Sequence, residues 1–137
     1  MKEKWIYYGV FFDEYFRKEL INKAKELVDI PKDWILHADH MTIIFNDGKG
    51  NKEEIANNLE EVLGERRQLR IKAIGVSDEA IAFEVSNYET QNEHAHITIA
   101  VAPGSKPVKS NYITNWLPID DFYVVGIIRK IVKNVTK

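Results

Sequence analysis

Two runs of the chain, His37 to Phe45 and His94 to Ala102, repeat one pattern: histidine, apolar residue, threonine, aliphatic residues. It reads His40-Met41-Thr42-Ile43-Ile44 in the first and His96-Ile97-Thr98-Ile99-Ala100 in the second. Their apolar and β-branched density predicts two strands. Successive strand side chains point to opposite faces, so His40 and Thr42 project together, as do His96 and Thr98. Met41, Ile43 and Phe45 are expected on the other face of the first strand, and Ile97, Ile99 and Val101 on the other face of the second. Each strand then has one side to bury and one side bearing an imidazole and a hydroxyl. A fold that sets the two strands together converges four polar groups in one cleft. With four histidines and five threonines in 137 residues, chance gives only about 0.15 His-x-Thr matches, so two of them in strand-like runs form a specific signal.

The rest of the chain supplies a scaffold for these strands. Trp5 to Phe12 is dense in aromatic and aliphatic residues and predicts a buried strand, followed by Asp13 as the N-cap of a helix. Phe16, Leu20, Ala24, Leu27 and Val28 recur on one face of that helix, and Pro31 stops it. Asn46-Asp47-Gly48-Lys49-Gly50 is a turn signal. A second helix is expected from Asn51, with Glu54 in capping-box position, Ile55, Leu59 and Leu63 on one face, and Gly64 at its end. Gln68 to Val76 and Ala80 to Ser86 predict a hairpin around Ser77-Asp78-Glu79, and Asp121 to Val132 a last strand. Before that strand, a loop from Pro103 to Asn111 precedes a helical turn over Tyr112 to Trp116. Strands interleaved with two helices, and no linker or repeat, predict a single α+β domain over residues 1–137, with helices covering the sheet.

Composition narrows the chemistry. Without cysteine there is no thiolate nucleophile, disulfide framework or cysteine-based metal site, in keeping with a cytoplasmic setting. The N-terminal residues lack the apolar run of a signal peptide or membrane span, so a soluble chain without membrane partners is expected. A net charge of −2 argues against capture of long duplex nucleic acid, which needs a basic face. Local basic clusters remain at Arg66, Arg67, Arg70 and Lys72, and at Lys106 and Lys109. Each fits a solvated edge or loop as well as a phosphate contact.

Cleaving a phosphodiester needs one proton removed from the attacking oxygen and one delivered to the leaving oxygen. Two imidazoles titrating near neutrality do both. His40 and His96 are therefore the candidate acid–base pair, in an order the sequence leaves open. Thr42 and Thr98 are candidate donors to the non-bridging phosphate oxygens. Neither role calls for a metal.

On these residues the chain resembles the two-histidine phosphoesterases, which include the LigT-like RNA phosphoesterases and the cyclic phosphodiesterase domains of tRNA ligases. The resemblance covers most of the chain: the strand Trp5 to Phe12, the two motif strands, and the closing strand from Phe122. It implies a bilobal α+β fold with antiparallel sheets around a central cleft and helices on the outer faces, catalytic roles for His40, Thr42, His96 and Thr98, and no cofactor. Members of the family act on cyclic phosphates at RNA ends and on linear and cyclic oligonucleotides. The segment Lys106 to Asn111 is most similar to the phage anti-CBASS nucleases, which open cyclic messengers in the host cytoplasm, and to the tRNA-ligase-like branch. The expected partner is thus a nucleotide or a short or cyclic oligonucleotide, with a catalytically idle nucleotide-binding module as the alternative.

Other residues are candidates for substrate contacts. Trp5, Tyr7, Tyr8, Tyr112 and Trp116 are aromatic residues able to stack on a base; one of Tyr7 and Tyr8 is expected to face the cleft, and Tyr112 and Trp116 to form a lid. Ser105, Lys106, Ser110 and Asn111 offer donors for a phosphate, and equally make ordinary turns. His94 and His37 flank the motifs. A metal site from His94, His96, His40 and Asp39 can be drawn, but His40 and His96 already have a role without one.

Overall fold

The computed structural model describes residues 4–48 and 52–133. In chain order these form β1 (Lys4–Phe11), α1 (Glu14–Leu27), β2 (Ile35–Leu36), β3 (His40–Phe45), α2 (Lys52–Glu60), β4 (Arg66–Val76), β5 (Ala80–Val85), β6 (His96–Val101), a 3-10 turn (Pro107–Tyr112) and β7 (Trp116–Lys133). The fold is α+β, with one antiparallel seven-stranded sheet in the order β2-β6-β3-β1-β7-β4-β5. β5 also pairs with β6, so the ladder β6-β3-β1-β7-β4-β5 returns on itself and each of these six strands has a neighbour on both sides. Closure satisfies backbone groups that an open edge would leave to solvent.

Both helices and the main core share one face of this sheet. Leu20, Ile21 and Ala24 of α1 and Ala56 and Leu59 of α2 join Met41, Ile43, Ile97 and Ile99 in one buried cluster, each large aliphatic side chain contributing about 1.5–3 kcal/mol on burial. Asp13 caps α1 as expected, its Oδ1 accepting from the Phe16 N–H at 3.0 Å. The buried stripe of α1 is shifted from the expected one, with Ile21 inside and Leu27 exposed. In α2, Ile55 is exposed, Ala56 takes the buried position, and the helix ends at Glu60 before a turn to Gly64. The cap expected at Asn51 lies outside the described residues, as do Lys49 and Gly50.

Backbone irregularities correct the simple parity argument. β1 pairs Gly9 with Thr42 but Tyr8 with Ile44, leaving Ile43 as an extra residue on β3. β5 pairs Ala82 with Thr98 but Ile81 with Ala100, leaving Ile99 as an extra residue on β6. The same position after each His-x-Thr is therefore bulged, and a bulge reverses the facing of the residues beyond it. Phe45 consequently leaves the core and stands 44% exposed on the His40 side. Val101 leaves the main core for a separate cluster with Ala80, Ala82 and Ile113.

Two further elements differ from expectation. His37 to Phe45 is broken into β2 and β3 at Ala38, which takes φ +60. β7 begins at Trp116, five residues before the expected start, because Pro118 sits beside a register shift where its missing N–H is tolerated. The helical turn also falls earlier, over Pro107–Tyr112, so Trp116 belongs to the strand.

Candidate active site

β3 and β6 are hydrogen-bonded neighbours, paired antiparallel at Met41 and Ile97. That pair sets the two His-x-Thr runs side by side, and the register changes just before it: Leu36 pairs with Ala100 and the Ala38 N–H reaches the Thr98 carbonyl, so Asp39 and His40 are extra residues on this side. All four side chains line one cleft of about 350 Å³.

The two histidines are held differently. His96 is 9% exposed, and its Nδ1 lies 2.7 Å from the His94 carbonyl oxygen. A carbonyl only accepts, so Nδ1 carries the proton and Nε2 keeps a lone pair for the cleft. Burial, ahead of all other influences, lowers the pKa of His96 below its ordinary value. His40 instead packs against the rings of Tyr7 and Phe11, at centroid distances of 5.2 and 5.0 Å, and those two rings also stack on each other at 6.0 Å. Its Nδ1 is buried without a hydrogen-bond partner and stands 3.6 Å from Asp39 Oδ1. That carboxyl is held below its usual range, first by His40 beside it. A proton on His40 therefore faces an anionic counter-charge.

The segment before His40 is pinned on three sides. The His37 and Ala38 N–H groups donate to the Ile99 and Thr98 carbonyls at 2.7 and 2.9 Å, and the Phe12 N–H donates to the Asp39 carbonyl at 2.9 Å. Arg17 Nε of α1 donates to the His37 carbonyl at 2.8 Å. These bonds hold Ala38 in a left-handed conformation that a residue with a Cβ seldom adopts.

The expected substrate-binding residues divide. Thr98 Oγ1 is hydrogen-bonded at 2.8 Å to Ser110 Oγ, and Ser110 is only 1% exposed. Ser110 thus orients Thr98; it is buried and does not line this cleft, bordering only the cavity beside it. Tyr8 is likewise closed to a substrate: it is buried on the helix side, with its hydroxyl donating to Glu60. Tyr7 faces the cleft side but packs behind His40. Trp5 is buried, its Nε1 donating to Glu53 at 3.1 Å. Lys106 is exposed and lines neither this cleft nor the cavity beside it, and Ser105 turns to Glu79 at 2.9 Å. Asn111 lines the cleft, and Tyr112 and Trp116 line the adjoining cavity. Arg67 and Arg70 are paired with Glu65 and Asp121 and stand outside the cleft.

Phe45, Gln91, Asn92, Pro107 and Val108 also line the cleft, and none of them was expected there from the sequence. Gln91 is stitched to β3 twice, its N–H donating to the Ile43 carbonyl at 2.9 Å and its Oε1 accepting from the Phe45 N–H at 2.5 Å. The first of these bonds uses the carbonyl of the bulged residue. No periodicity marks Gln91 in the chain. Among the described residues, no group of three His, Asp or Glu side chains is placed to hold a metal ion. His94 is committed elsewhere, with Nδ1 at 2.5 Å from Glu84 Oε2 and its ring stacked on Trp116. No helix among the described residues is long and apolar enough to cross a membrane.

The lowered pKa of His96 has a thermodynamic consequence. The folded chain binds this proton more weakly than the unfolded chain, whose histidine titrates at about 6.5. Stability therefore rises with pH from the lowered value up to the unfolded one and is level above it. Asp39 adds the same sign at lower pH, its contribution being lost as pH falls through its lowered value. Melting curves should show Tm decreasing as pH drops below neutrality, with His96→Asn removing the upper part of that decrease. A decrease that His96→Asn leaves unchanged would contradict a buried neutral imidazole.

Neither a scan against protein-family models nor a search of curated proteins finds a match to this chain.

Proposed function

We propose that this chain is a two-histidine phosphoesterase of the bilobal type, a nucleotide phosphodiesterase that works by histidine acid–base catalysis without a metal. The observation that carries the reading is the convergence of His40, Thr42, His96 and Thr98 in one cleft, on two neighbouring strands joined at the Met41–Ile97 pair. A scaffold that needed only two edge histidines would not call for a matching bulge after each motif. A phosphate in this cleft receives a hydroxyl and an imidazole from each strand.

The unequal settings of the histidines assign their roles. His96 presents an unprotonated Nε2 and is the base that takes the proton from a 2′-hydroxyl. His40, with Asp39 as counter-charge, is the acid that protonates the departing 5′-oxygen. The 2′-oxygen bonds to phosphorus as the bond from phosphorus to the 5′-oxygen breaks, leaving a 2′,3′-cyclic phosphate and a free 5′-hydroxyl. Ring opening by water reverses the proton traffic, His40 now accepting and His96 donating. Thr42 and Thr98 stabilise the charge on the non-bridging oxygens, Thr98 with its rotamer fixed by Ser110.

The test is product analysis in excess EDTA with nucleoside 2′,3′-cyclic phosphates, a cyclic-phosphate-ended RNA oligomer, and cyclic di- and trinucleotides. Ring closure alone is isomerisation and leaves the mass of a cyclic oligonucleotide unchanged, so chromatographic separation must accompany mass spectrometry. Turnover that survives EDTA is expected. Turnover abolished by EDTA would overturn metal independence. Nucleotides bound but unchanged would favour the idle binding module, and opening of cyclic oligonucleotides alone would favour the anti-CBASS reading.

A further inference from the structure

A second cavity, of about 440 Å³, adjoins the cleft. The two share His96, Asn92 and Asn111, so the imidazole read as the base stands on the border between them. The second cavity has an aromatic wall. His94 stacks on Trp116 with ring centroids 5.2 Å apart and planes 25° from parallel. Its other end is Tyr112, which is 72% exposed and comes from the 3-10 turn. The wall is braced from below: Glu84 Oε2 holds His94, Trp116 Nε1 donates to the Ile113 carbonyl at 3.1 Å, and the Trp116 ring fills the space where Gly75 has no side chain.

A phosphodiester has two arms. With its phosphate between Thr42 and Thr98, one nucleoside extends from the attacking 2′,3′-side and the other from the leaving 5′-oxygen. A nucleoside 2′,3′-cyclic phosphate has only the first arm and leaves one of two adjoining cavities empty. Aromatic faces bind bases of any sequence by stacking, and amide side chains such as Asn92 and Asn111 complement base edges with a donor and an acceptor. Resting on the phosphodiesterase reading above, we infer that the His94–Trp116–Tyr112 cavity is a second nucleoside subsite. The preferred substrate is then an internal 3′,5′-phosphodiester between two ribonucleosides, linear or within a ring, and not a terminal cyclic phosphate.

Binding tests this independently of turnover. The probes are 2′-deoxyadenylyl-(3′→5′)-adenosine, which lacks the attacking hydroxyl, and 2′-deoxyadenosine 3′-(methyl phosphate), which has the same single charge but no second nucleoside. Calorimetric titration should show the dinucleoside binding about tenfold more tightly. Tyr112→Ala should reduce that ratio to within about twofold, while Tyr112→Phe, which keeps the stacking face, should preserve it. Equal affinity for the two probes in the parent protein overturns the subsite, as does a ratio that survives Tyr112→Ala. Binding as expected without cleavage of the corresponding ribose dinucleoside overturns the phosphodiesterase reading and leaves the subsite standing. Binding of neither probe overturns both.

Discussion

On the proposed mechanism, His96→Ala and His40→Ala should each lower kcat/KM for the hydrolysed nucleotide by about 10²–10⁴-fold, the range of a lost acid or base. The two act on one proton cycle, so the double variant falls little below the worse single one. Their pH profiles separate the roles. In the parent protein the acidic limb should reflect deprotonation of His96 and lie below the ordinary imidazole range, because burial disfavours its charged form. His96→Ala removes that limb from any residual activity, and His40→Ala leaves it in place. His96 is nearly enclosed and its Nδ1 proton is used by the His94 carbonyl, so alanine leaves a small void and an unpaired acceptor. His96→Asn is the companion variant, with an amide to donate to that carbonyl and no base for catalysis. Full activity in either alanine variant, measured in steady state on folded protein, would sink the mechanism.

How much of this was legible in the chain depended on whether the signal was local. That His40 and Thr42 share one face, and His96 and Thr98 another, was legible because strand parity is set by the backbone alone, and a repeated triplet needs no partner to be seen; the structure brings all four to one cleft. Asp13 as N-cap, α1, and the hairpin turn at Ser77, whose N–H donates to the Ala80 carbonyl at 2.9 Å, rested on equally local chemistry. The bulges at Ile43 and Ile99 were not legible, since a bulge is defined by the strand opposite. Parity counted forward from His40 and from His96 therefore sent Phe45 and Val101, respectively, to the wrong face. Ser110 and Asn111 show the same limit: adjacent in sequence and alike in polarity, one is buried against Thr98 and the other lines the cleft. Only the winding of the 3-10 turn distinguishes them. Tyr7 and Tyr8 were one parity step apart, and the step was fixed by which face of β1 meets the helices. The Asp39 counter-charge and the His94 carbonyl are neighbours in sequence of the histidines they serve, yet nothing in a lone strand shows that one histidine pairs with a carboxylate and the other with a carbonyl.

The second large effect tests the join between fold and site, at Gly9. Its register shift lies where β1 faces the extra residue Ile43, and a Cβ there would stand 2.7 Å from the Met41 carbonyl oxygen and 3.3 Å from Phe11 Cε1. The first of these atoms is backbone of the strand that carries His40 and Thr42, and it is held by pairing on both sides. Gly9→Ala must therefore push β3 away from β1. Overpacking of this kind costs about 1–3 kcal/mol, and displacing catalytic groups by about 1 Å is enough for a loss near 10²-fold. Gly104→Ala is the contrast. Its φ of +82 strains any residue with a Cβ, yet nothing stands within 4 Å of the added atom. That strain is worth about 1–2 kcal/mol, in a turn that lines neither cavity. Denaturant titration should thus show comparable destabilisation in the two variants. Rate measurements on the folded fraction should show a large loss of kcat/KM in Gly9→Ala and almost none in Gly104→Ala. If both variants keep full activity, close packing of β1 against β3 does not set the position of His40, and the pinning of His37 to Asp39 by β6, Phe12 and Arg17 must be sufficient alone.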